Sequence, residues 1–163
     1  MSRIKLLIPL FLVIFFLNGC TSTPNEPNIP CTISVSCGTI LDNIGDFDAK
    51  KLELVPYDGI ILDETTVYFE QGETVFDVLS RELKKREIHF EFSQTPIYNS
   101  VYIEGIGNIY EFDCGELSGW NYSVNGVFPN FGCSSYTLEE NDRIEWKYTC
   151  DLGKDVQNGQ ELS

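Results

Sequence analysis

The chain of 163 residues has one histidine, His89, and none of its six cysteines stands in a Cys-x-x-Cys pair. Zinc sites draw on clustered thiolates and imidazoles, so this poverty argues against zinc. Asp42, Asp46 and Asp48 lie close together, yet the segment lacks the spaced glycine and terminal glutamate of an EF-hand, and they read as solvated loop acids. No metal and no organic cofactor is expected. Positive charge is scarce as well: 11 lysines and arginines face 25 acids, for a net charge of −14. Such a surface repels phosphate backbones, which excludes nucleic acid as a natural partner. No Ser/His/Asp or Cys/His arrangement stands out, so no enzyme is expected, and His89 reads as a structural or surface residue. There is no internal repeat. The apolar run from Leu6 to Leu17 is also short. As a helix it reaches about 18 Å, whereas a spanning helix needs about twenty residues.

That run follows two cations, Arg3 and Lys5, and ends in Leu17-Asn18-Gly19-Cys20. Charge, apolar stretch and small residues in this order make a secretion signal. The junction resembles a bacterial lipobox, which implies that Cys20 is lipidated and becomes the first residue of the mature chain. Residues 1–19 are then a signal peptide and 20–30, with three prolines, a short tether. Two or three acyl chains anchor a protein stably, so the expected location is extracytoplasmic, on the bacterial membrane. Losing Arg3 and Lys5 takes the formal charge from −14 to −16.

Roughly 120 residues remain to fold, enough for one domain. Cys31, Ile33, Val35 and Cys37 alternate with polar residues, as on one face of a strand. Residues 39–59 show no sustained period, and TTVYFEQGE gives a second strand. Thr74 with Asp77 three residues later forms a capping-box pattern, and Val75, Val78, Leu79 and Leu83 make the stripe of the one strong helix. After it, IHFEF, NSVYIEG, NIYEFD, GWNYSVNG and RIEWKYT all alternate with period two. Asn125-Gly126 favours a type I′ turn. The expected architecture is α+β and β-grasp-like: a curled, mostly antiparallel sheet packed on one main helix.

Five cysteines other than Cys20 are left in an oxidising compartment. Cys114 and Cys133 flank the most aromatic segment, and a bridge between them would close a loop of about twenty residues, worth roughly 3 kcal/mol. A second pairing stays open. Cys31 and Cys37 are too far apart to bridge each other if their segment is extended.

That segment, GWNYSVNGVFPNFGC, carries Trp120, Tyr122, Phe128 and Phe131. Trp120 and Tyr122 read either as core beneath the helix, together with Ile144 and Trp146, or as one face of a binding surface. Phe128 and Phe131 lie beyond the turn among Pro129, Asn130 and Gly132, where contact with the helix is harder to arrange, and they are candidates for an exposed apolar patch.

TVFDVL, PIYNSVYIEGI and the block GWNYSVNG…PNFGCSSYTLEENDRIEWKY together resemble the transcobalamin C-terminal-like domain of bacterial surface lipoproteins, over residues 31–153. Residues 154–163 then form a polar tail. The resemblance implies a β domain that covers one side of a corrinoid, and it adds Tyr98 and Tyr102 to the ligand candidates. Many such domains carry a helix cysteine where this chain has Leu83, which implies one thiol left without its partner. The expected function is a non-catalytic, lipid-anchored domain that captures a corrinoid or related small molecule and hands it to an importer component. The alternative is a structural or protein-interaction domain of the cell envelope.

Overall fold

A computed structural model describes residues 27–95 and 100–157. The first strand, β1 (Ile29–Ser36), buries Cys31, Ile33 and Val35 on one face, as the alternation requires. A single helical turn, α1 (Thr39–Asp42), and a 3₁₀ segment (Ala49–Leu54) fill the aperiodic stretch. Asp48 caps the latter by accepting from Lys50 N at 3.0 Å, which gives that loop acid a structural role.

Strand β2 (Ile60–Phe69) begins five residues earlier than its sequence pattern indicated. It is an edge strand paired antiparallel to β1, with Leu62 turned inward, so the acids Asp63 and Glu64 face outward at no cost in burial. Helix α2 (Val75–Lys85) starts at Thr74 with a complete capping box. Thr74 Oγ1 accepts from Asp77 N, and Asp77 Oδ2 accepts from Thr74 N at 2.8 Å. Val75, Val78, Leu79 and Leu83 are fully buried in the same core as Ile33, Val35, Ile144 and Trp146. Among the described residues, no helix is long and apolar enough to cross a membrane.

The remaining strands are β3 (Phe90–Thr95), β4 (Ser100–Ile106), β5 (Ile109–Tyr110), β6 (Gly119–Val124) and β7 (Arg143–Thr149). They form a four-stranded sheet, β2-β1-β7-β6, and a three-stranded sheet, β3-β4-β5. Among the described strands, only the β1–β7 pair is parallel. This is the expected α+β architecture, with α2 as its main helix.

Two details depart from the period-two reading. NIYEFD supplies only two strand residues, because Asp113 Oδ2 accepts from Tyr110 N at 2.7 Å and folds the chain back. The Asn125-Gly126 turn has the positive φ angles of type I′, 54° and 80°. Beyond the Val124–Val127 bridge, however, the chain leaves the strand, and β6 pairs with β7 instead. Packing also runs past the expected 31–153 limits: Ile29 pairs with Phe69, and Val156 is buried.

Candidate ligand cleft

Strands β4 and β6 belong to different sheets, and a cleft of about 570 Å³ opens between them. The loop 128–133 forms one rim, and Leu152 and Gln157 of the C-terminal turn form another. Five of the six aromatic candidates line this one space: Tyr102, Trp120, Tyr122, Phe128 and Phe131. Tyr98 lies outside the described residues.

Their burial divides them into floor and rim. Trp120 and Tyr122 are 5% and 8% exposed, so the core reading and the cleft reading hold for the same side chains. Trp120 Nε1 donates to Ile109 O at 2.9 Å, and its ring packs edge-on to Tyr148 at 5.3 Å. Tyr122 lies 5.4 Å from Trp146 between ring centroids. By contrast, Phe131 is 48% and Tyr102 42% exposed, while Phe128 is half-buried. Tyr102 Oη donates to Glu111 at 2.6 Å, and burial together with that acceptor raises its pKa.

The aromatic rim is held in place rather than left loose. Tyr122 Oη donates to Phe131 O at 2.9 Å, and Phe131 stacks on Tyr136 at 5.9 Å. At the other end of the loop, Ser134 Oγ accepts from Val101 N at 2.9 Å. Gly132 passes so close to β4 that an added Cβ would lie 2.9 Å from the Cβ of Ser100 and 1.5 Å from its Oγ. Only glycine lets the loop approach the strand this closely.

No lining side chain carries a charge. In a chain of net charge −14 this is a local exception, and it matters chemically. The polar groups at the cleft are neutral: Asn121, Asn130, Gln157 and two serines. Trp146, a further lining residue that sequence reading assigned to the core alone, is 2% exposed, and its indole N–H finds no hydrogen-bond partner among the described residues. A buried donor left unpaired costs about 1–3 kcal/mol. Leu152 and Gln157 were also missed, because they follow the last periodic strand and only tertiary packing brings them to the cleft.

The other candidates lie elsewhere. His89 Nε2 sits 3.0 Å from both Glu91 Oε1 and Tyr110 Oη, on an exposed face. Among the described residues, no group of three or more histidines, cysteines and acids could hold a metal. The sulfurs of Cys114 and Cys133 have different neighbours. Cys133 Sγ contacts Val101 O at 3.7 Å, near the start of β4, whereas Cys114 follows β5, which pairs with the end of β4. The sulfur beside Cys114 is that of Cys150, at 3.1 Å. The register Gly119↔Thr149 brings the end of β7 against the turn that precedes β6.

Residues 72–150 match the family model described as a domain of unknown function, DUF4430. Among solved structures, haptocorrin crystallised in complex with Cbi superposes with a TM-score of 0.53 at 16% identity. The likeness covers 78% of this chain and 27% of that one, so this chain spans about a quarter of haptocorrin. This is a distant transcobalamin-like fold. A protein from Ruminococcus gnavus, described as a candidate metal-binding protein, gives a TM-score of 0.45 at 14% identity, covering 75% of this chain and 97% of that one. No curated protein matches the sequence.

Proposed function

We propose that this protein is a lipid-anchored, extracytoplasmic binding module whose cleft holds a neutral, ring-bearing small molecule, with a corrinoid as the specific candidate. The observation that carries this reading is the uncharged aromatic cleft, which sets two well-packed rings as a floor beneath an exposed rim. A volume of about 570 Å³ falls in the usual range for small-molecule sites, roughly 300–1,000 Å³. Ring faces and alkyl edges suit a flat apolar body. Asn121, Asn130 and Gln157 suit amide-like substituents, and free phosphates or carboxylates would find no cation there. The likeness to haptocorrin supports the corrinoid choice over other flat ligands.

A single β domain embraces only part of such a molecule, so the affinity of this domain should be modest. Cys20 would carry the lipid, and the tether, reaching about 35 Å at full stretch, would keep the folded domain close to the bilayer. There the domain would capture its ligand and pass it to an importer component. Nothing in this role calls for catalysis.

Calorimetric titration of the protein with cobinamide and with cobalamin tests the reading. One-to-one binding at micromolar concentrations, weakened by Phe131→Ala, is expected. No heat at high micromolar concentration with either compound would end the corrinoid assignment.

A further inference from the structure

We infer that Cys114 and Cys150 form a disulfide that fastens the C-terminal wall of the cleft. The two sulfurs lie 3.1 Å apart as thiols, the only such contact among the described cysteines. Cys31, Cys37 and Cys133 are each buried singly in the core. The pair joins two segments that already touch. Leu152 N donates to Leu117 O at 2.9 Å, tying the last turn to the 114–118 turn. Within the last turn, Asp155 Oδ2 accepts from Cys150 N at 2.7 Å, and Thr149 Oγ1 accepts from Gly153 N at 2.7 Å. Leu152 and Gln157, the cleft-lining residues of this wall, follow directly. A bond at Cys150 therefore anchors the wall at its root, where β7 ends.

The chemistry needs a disulfide donor, such as a small oxidised thiol or an envelope thiol–disulfide oxidoreductase. Cys150, the more exposed of the two, attacks one sulfur of the donor as the thiolate and expels the other as a thiolate. Cys114 then loses its proton and attacks the Cys150 sulfur, closing the bond and expelling the second donor thiolate. Two electrons pass to the donor, and its two sulfurs take up the two protons. In the cell this step rests on the extracytoplasmic location proposed above, but the bond itself does not require that any ligand bind.

The full-length reduced chain, held in detergent, is treated with oxidised glutathione, alkylated and digested without reduction. A linked peptide containing Cys114 and Cys150 is expected, with Cys31, Cys37 and Cys133 alkylated only after unfolding. Recovery of Cys114 and Cys150 as alkylated thiols, or of Cys114 joined to Cys133 or Cys37, would overturn the pairing. Hydrogen exchange at the Leu152 and Gly153 amides should slow by about an order of magnitude on oxidation. Unchanged exchange in the bridged protein would refute the fastening of the wall.

Discussion

Replacing Tyr122 by Phe removes one oxygen atom from the cleft and leaves its ring in place. Among the described residues that oxygen makes the only side-chain hydrogen bond from β6 to the 128–133 loop, at 2.9 Å to Phe131 O. The ring itself packs against Trp146 and Tyr136, contacts that the substitution retains. The loss should therefore reflect the hydrogen bond and little packing. A buried acceptor left unpaired would cost about 1–3 kcal/mol, but Phe131 is 48% exposed and its carbonyl can turn to water. The expected destabilisation is thus about 1 kcal/mol, read as a lower urea midpoint with an unchanged slope. Affinity should fall further than stability suggests, because the freed loop must be ordered again on each binding event. Ordering two rim side chains at about 0.5–1.5 kcal/mol each costs about 1–3 kcal/mol, a loss of roughly fivefold to 150-fold in affinity. Urea unfolding and ligand titration of the same variant measure the two quantities. Full wild-type affinity in a variant destabilised as expected would refute the idea that a pre-organised rim matters.

Three further outcomes are expected. Thr74→Ala removes the helix cap at α2 and should lower stability by about 1 kcal/mol in urea without altering ligand affinity. Gly132→Val should lift the loop from Ser100 and weaken binding at least tenfold while the circular dichroism of the fold is kept, since the clash is confined to the rim. The third concerns pH. Burial pushes the thiols of Cys31 and Cys37 up to about 11 and that of Cys133 up to about 12, from 9.0. The unfolded chain therefore releases these protons first. The stability they support is complete below pH 9 and is lost as pH rises through 11 to 12, so in reduced protein the urea midpoint should decline across that window. A flat profile there would show that these sites do not stay dry.

Local signals carried most of the fold. The capping box of α2, the alternation of β1 and the Asn125-Gly126 turn each depend on neighbours within a few residues, and all three form as their residues dictate. The four aromatic residues from Trp120 to Phe131 were recognisable as a group for the same reason. What the pattern could not disclose depends on contacts distant in the chain. Whether Trp120 was core or cleft is settled only by β4 arriving from the other sheet. Cys133 seemed a partner for Cys114 because both flank one segment, yet strand register delivers Cys150 to that sulfur. Leu152 and Gln157 follow the last periodic strand, so no repeat marks them as a wall. Trp146 looked like ordinary core because alternation reveals a face and not an unpaired indole N–H.

Both tryptophans of the chain line the cleft, which makes their indole N–H resonances direct reporters of its contents. Trp120 already donates to Ile109 O, whereas the Trp146 indole N–H has no hydrogen-bond partner among the described residues. On titration with cobinamide, both signals should move saturably, and that of Trp146 should shift further as its surroundings change. If neither indole resonance moves at high micromolar ligand, the cleft is not a site for this class of molecule.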